Sequence, residues 1–228
     1  MNALPPLSKD GSVHVTDERF NTVSHLFAFV FSLVGSGVLL IKAAQTGDPW
    51  LIVGVALYAL GLCSLFMFST LHHGINGSPK MDRRLQTLDY LAIYLLIAGT
   101  FSPVCLGIGR NPLGWSVFGT IWICAITGMT LKAAIPSFPK WLGLNIYVIL
   151  GWVAVLLAGM VYRILGLMPT IFLSLGGLAY TLGGVIFIHE KPNPLPGKFG
   201  FHEIWHLFVI AGALCHYITH AEPKHFQP

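Results

Sequence analysis

Residues 90–108 read YLAIYLLIAGTFSPVCLGI, nineteen consecutive residues without a charge. As a helix rising ~1.5 Å per residue the run is about 28 Å long, close to the ~30 Å hydrocarbon thickness of a bilayer. Apolar and polar residues do not alternate as in a barrel strand. Open strands would leave backbone groups unsatisfied in lipid, so the run reads as a membrane-crossing helix.

Six further runs of the same kind flank it: Val23–Ile41, Leu51–Leu71, Leu113–Leu131, Trp141–Tyr162, Ile164–Ile188 and Ile204–Thr219. The last reaches spanning length only if His202 and His206 lie inside it. The sequence therefore predicts an all-α polytopic membrane protein, a bundle of seven transmembrane helices. Composition agrees: 54% of the 228 residues are hydrophobic and 10% charged, against about 25% charged in a soluble domain. An ordinary soluble enzyme and a disordered chain are excluded on that ground. The net charge is +4, but no Lys/Arg cluster is long enough to track a phosphate backbone, so no nucleic-acid partner is expected. No nucleotide-binding loop and no haem or flavin signature is present. The first run is too long for a signal peptide and lacks a small-residue cleavage site.

Gly47-Asp48-Pro49, Asn76-Gly77-Ser78-Pro79, Asn111-Pro112 and Pro136 to Pro139 punctuate the runs, as turn formers should. The connection Lys191–Gly200 holds Pro192, Pro194 and Pro196 and is not helical. With the N-terminus inside, Lys9, Arg19, Lys80, Arg83, Arg84, Lys132, Lys140, Lys191 and Lys198 fall on the inner side. Lys42, Arg110, Arg163 and Lys224 fall outside, nine against four. The positive-inside rule then predicts a cytoplasmic N-terminus. Residues 1–17 are expected to form a flexible cytoplasmic segment and 18–228 the membrane domain.

On this topology Glu18, Asn21, His25, Ser69, His72, His73, Asp89, His202 and His206 converge at one membrane depth. His202 and His206 are spaced i, i+4, as are Ser69 and His73; Glu18, Asn21 and His25 also share a face. Three histidine nitrogens plus a water form the open coordination of a catalytic zinc site, and an aspartate can hydrogen-bond that water. Ionisable groups within a membrane default to function. Blander readings stand beside this one. His72 alone suits an interfacial residue, Asp89 a first-turn acid, and Ser69 a hydroxyl bonded to its own helix. His202-Glu203-x-x-His206 matches the H-E-x-x-H protease motif, but opens a membrane span, with Glu203 turned about 100° away toward the headgroups. His216 and His220, also i, i+4, have no evident partner and read as structural; His14 and His225 lie in the tails. Cys63, Cys105, Cys124 and Cys215 read as apolar packing residues, and Gly54, Gly61, Gly176 and Gly183 as close helix contacts.

The strings E-x-x-N-x-x-x-H from Glu18 to His25, FSTLHH from Phe68, LDYLAIYLLIAGTFSP from Leu88 and FHEIWHLFVIAG from Phe201 resemble the hemolysin III family. That family is the bacterial branch of the progestin and adiponectin receptor superfamily. The resemblance runs from Glu18 to about His220. It implies seven helices with an inward N-terminus and a zinc ion on His73, His202 and His206. It also implies Asp89 on the zinc-bound water, and it selects His73 over His72. The superfamily is in turn similar to alkaline ceramidases, membrane amidases with a like Ser, Asp and three-His set. The expected chemistry is hydrolysis of a lipid amide or ester, with Asp89 as general acid/base and Ser69 stabilising the oxyanion. Glu18, Asn21 and His25 are candidates for the pocket rim. The family name points instead to a pore, for which the mid-span residues offer few polar groups. A non-catalytic sensor with structural zinc is the third reading, and direct coordination by Asp89 would favour it. A membrane lipid is the expected substrate or ligand and a bacterial cytoplasmic membrane the expected location.

Overall fold

The computed structural model describes residues 18–135 and 137–226; the expected flexible segment 1–17 lies outside them. Among the described residues there is no strand, and seven helical spans are long and apolar enough to cross a membrane. In chain order the helices are α1 (Glu18–Thr46), α2 (Pro49–Gly74), α3 (Pro79–Pro103), α4 (Pro112–Ala134), α5 (Lys140–Trp152), α6 (Val155–Leu165), α7 (Leu167–His189) and α8 (Phe201–Ala221). A π-helical turn, Val104–Ile108, extends α3, and a 3-10 turn, Pro223–Phe226, follows α8.

Three helices begin by one device. Asp48, Ser78 and Asn111 cap α2, α3 and α4 through Trp50 N, Met81 N and Gly114 N, each with proline at the next position. The side-chain oxygen accepts from an orphan N–H, and proline's missing donor is no loss in the first turn. Cap placement corrects one sequence boundary. The apolar run starts at Tyr90, yet α3 starts at Pro79, so Asp89 lies well inside the helix and is not a first-turn acid. Two more boundaries shift in the fifth and sixth spans. The fifth, Lys140–Leu165, is broken at Val153 and Ala154, whose N–H groups bond to Leu150 and Gly151 with i to i−3 spacing. The turn into α7 comes at Gly166, not at Arg163. Gly166 has φ +98°, a conformation that glycine takes without strain.

The helices form a ring. α1 packs on α2 and α8, α2 on α3, α3 on α4 and α5, α5 and α6 on α7, and α7 on α8. Outward faces carry large apolar side chains such as Phe27, Phe31, Ile123, Ile149, Leu156 and Met168, as lipid contact requires. The protein is a multi-pass membrane protein. One buried cluster joins Leu39, Val55, Tyr58, Leu62, Phe66 and Val209 from α1, α2 and α8. The other joins Tyr94, Phe101, Ile121, Leu157 and Val161 from α3, α4 and α6.

Backbone-to-backbone contact between α2 and α3 sets the register of the site. A Cβ on Gly54, Gly61 or Gly99 would lie 2.7 Å from the carbonyl oxygen of Ser102, Leu95 or Leu57 respectively. Gly176 and Gly183 on α7 instead receive side chains of α8, the rings of His216 and Trp205. Small residues permit such approach where lipid supplies no hydrophobic drive between helices.

Gly61→Ala is expected to destabilise the protein by about 1–3 kcal/mol through overpacking. Gly119→Ala, where the new methyl meets nothing within 4 Å, should be neutral or stabilising. Thermal unfolding in detergent checks the pair; equal effects would refute the tight α2–α3 contact.

Candidate metal centre

His73 near the end of α2 and His202 and His206 in the first turns of α8 are buried and meet at one end of the bundle. One ligand atom from each lies within 4.8 Å of the other two. Their ring centroids are 5.0 Å (His73–His202), 4.8 Å (His73–His206) and 4.9 Å (His202–His206) apart. The i, i+4 spacing puts both α8 rings on one face, and α2 supplies the third from opposite.

Glu18, in the first turn of α1, reaches across to α2. Its Oε2 is 2.5 Å from His73 Nδ1. With Nδ1 committed to a carboxylate, Nε2 is the nitrogen through which His73 would ligate. Metal-bound histidines almost always carry such an outer carboxylate or carbonyl, which fixes tautomer and ring orientation. His25, two turns along α1, stacks on His206 with centroids 3.8 Å apart and planes 17° from parallel. Asn21 is fully buried between them in sequence, and its side-chain amide has no hydrogen-bond partner among the described residues. Of the three expected rim residues, only His25 lines the cavity. Glu18 instead buttresses a ligand imidazole.

Asp89 lies outside the three-histidine set. Its carboxylate joins His72 and His73 in a second group within 4.8 Å. The Ser69 hydroxyl faces this carboxylate, with His202 nearby. Ser69 and Asp89 are thus brought together from α2 and α3. His72 is buried beside His73, with centroids 4.8 Å apart.

Glu203 also differs from expectation. It is fully buried, and its Oε2 accepts from Gly200 N at 2.8 Å, capping the start of α8 from inside its first turn. A sequence signal existed: an acid at the third helical position can reach back to the N-cap N–H, the half of a capping box that needs no N-cap side chain. It caps α8 and leaves the H-E-x-x-H protease reading without its base.

The histidines open into a long cavity lined by residues of every helix, with His25 of α1 and Lys132 of α4 at its edge beside α2, α3, α5, α6, α7 and α8. Along α3 it runs from Asp89 to Val104, about 22 Å at ~1.5 Å per residue. Beyond Ser69, Asp89 and the histidines the wall is mostly apolar, including Leu65, Ile93, Phe101, Leu157 and Val209. Tyr147 Oη donates to the Tyr90 carbonyl at 3.1 Å and ties α5 to α3 next to Asp89.

Residues 13–217 match the model of the haemolysin-III-related family. The chain belongs to the haemolysin-III-related family. It is 36% identical to Hemolysin-3 of Bacillus cereus over 200 residues, covering 87% of this chain and 88% of that protein. The human Monocyte to macrophage differentiation factor is 29% identical over 201 residues, 86% of this chain and 80% of that one. The Drosophila melanogaster Adiponectin receptor protein is 28% identical over 194 residues, 71% of this chain and 39% of its own length. The haemolysin-III match takes in six spans whole, the seventh as far as Tyr217, and every residue of the histidine centre.

The donor set fits a metal ion: three imidazoles on two helices, one already oriented by a carboxylate. His206→Ala should abolish high-affinity metal binding. Glu18→Ala should weaken it 10–100-fold, the usual cost of losing an outer-shell partner, with Glu18→Gln in between. Competition with a chelator of known affinity measures both. Unchanged affinity in Glu18→Ala would remove the carboxylate from the site.

Proposed function

We propose that this haemolysin-III-related protein is a zinc-dependent hydrolase of a lipid amide or ester bond in a bacterial cytoplasmic membrane. The observation that carries the reading is the juxtaposition of a three-histidine donor set, a nearby Ser69–Asp89 pair and a long apolar cavity. Imidazole donors suit zinc, and three protein ligands leave a position open for water. A bound zinc ion would acidify that water toward pKa ~7 and polarise the acyl carbonyl.

The chain's own residues do the rest. Asp89, outside the three-histidine set, is placed as general base: its carboxylate takes a proton from the attacking water and returns it to the leaving amine or alcohol. Ser69 orients that carboxylate and carries an O–H that can turn to the developing oxyanion. The apolar cavity holds the acyl chain, so the scissile bond comes to the polar end while the tail stays out of water. The nine-to-four excess of basic residues on one side supports a cytoplasmic N-terminus, and with it a cytoplasmic-side metal centre. The Bacillus cereus relative carries the name of a hemolysin, but the mostly apolar wall speaks against a monomeric aqueous pore. It suits an alkyl chain instead.

Zinc-loaded protein in vesicles should release free fatty acid from one class among N-acyl and O-acyl lipids. Asp89→Asn should retain zinc and lose 10²–10⁴ in rate, the usual worth of a general base. Turnover equal to wild type in Asp89→Asn would overturn the assignment. Absence of turnover on every acyl lipid by zinc-loaded wild type would move a structural metal role to the front.

A further inference from the structure

A second group of imidazoles is enclosed at the opposite end of the bundle. Fourteen residues of α8 separate His206 from His220, about 21 Å at ~1.5 Å per residue, so the two groups cannot share an ion. After Ala221 the chain folds back as the turn Pro223–Phe226 and lays His225 against His220, with ring centroids 5.8 Å apart. His225 is thus no solvated tail residue. It is 3% exposed and His220 is 1% exposed. Both rings lie beyond residues 13–217, the stretch matched by the family.

Neither ring has a hydrogen-bond partner on either nitrogen among the described residues. The Tyr58 hydroxyl, whose ring is 4.5 Å from His220, has none either. The Thr100 carbonyl faces His220 without completing a hydrogen bond. Four buried nitrogens on two adjacent rings without partners is far from the norm, since buried polar groups are nearly always satisfied by protein, water or an ion. Apolar side chains would fill the same space without that penalty.

We propose that His220 and His225 form a second transition-metal site, separate from the three-histidine centre. Two imidazoles sharing an ion at ~2.0 Å place their ring centroids about 5–6 Å apart, and 5.8 Å lies within that range. Two imidazole nitrogens select late first-row ions over Mg²⁺ and Ca²⁺. His216, one turn before His220, is held apart: its Nε2 lies 3.3 Å from the Leu173 carbonyl oxygen. Since His225 comes from the terminal turn and His220 from α8, an ion here staples that turn to the bundle. Lys224 Nζ at 3.5 Å from the Leu165 carbonyl oxygen and Lys42 over the Phe226 ring hold the turn from its other sides.

Co²⁺ titration of the purified full-length protein, read by absorption, tests the proposal. Wild type should bind two ions per chain, and binding at both should persist in a large excess of Mg²⁺. His225→Ala should bind one and keep the spectrum of the three-histidine centre, which also certifies its fold. His73→Ala/His206→Ala should bind one, lost on adding His225→Ala. Limited proteolysis of the terminal turn should slow several-fold on metal addition in His73→Ala/His206→Ala. Equal stoichiometry in wild type and His225→Ala would overturn the second site. One ion in wild type, lost in His225→Ala, would sustain it and refute the three-histidine centre instead.

Discussion

The contact between α2 and α3 governs everything placed at the metal end. Gly54, Gly61 and Gly99 let the two backbones touch over two turns of each helix. Lipid is as apolar as leucine, so close van der Waals contact, not the hydrophobic effect, holds such helices together. That contact fixes the rotation of α2 against α3. Ser69 and His73 thereby face Asp89, and the two apolar clusters divide on either side.

Enclosing imidazoles and carboxylates at membrane depth is unfavourable unless they engage one another. The chain meets this by crossing elements. Glu18 comes from α1 to His73 on α2, His25 from α1 stacks on His206 of α8, and Ser69 from α2 faces Asp89 of α3. Each pair joins two different helices, and the His25–His206 pair joins the first span to the last. The candidate metal donors therefore sit in a frame in which α1, α2, α3 and α8 hold one another in position. A haemolysin-III-related chain gains a preorganised donor set in this way, on rigid helices and with an apolar cavity leading off it.

The two ends of α8 use the same local pattern for different surroundings. His202 and His206 face α2 and meet a third imidazole, with the Glu18 carboxylate behind it. His216 and His220 are spaced identically, yet His216 turns into the space left by Gly176 on α7, while His220 meets Tyr58 and the returning terminal turn. Helical spacing alone therefore says which rings share a face. What they meet depends on the neighbouring helix.

By itself the sequence determined the seven spans, the turns at Gly47-Asp48-Pro49, Asn76-Gly77-Ser78-Pro79 and Asn111-Pro112 between them, and the end of the bundle where His73, Asp89, His202 and His206 gather. Those features follow from hydropathy, turn chemistry and helical period, all of which are local. The apolar run at Tyr90 hid the true start of α3, because a capped polar extension carries no hydropathy signal. Arg163 masked the turn at Gly166, where the decisive property is a positive φ. Only the tertiary structure decided that Glu18 holds His73, that His25 stacks on His206 and that His225 returns to His220. Such pairings depend on how whole helices rotate and cross. That geometry is set by glycine contacts and side-chain packing between segments up to two hundred residues apart, which no short window of sequence contains.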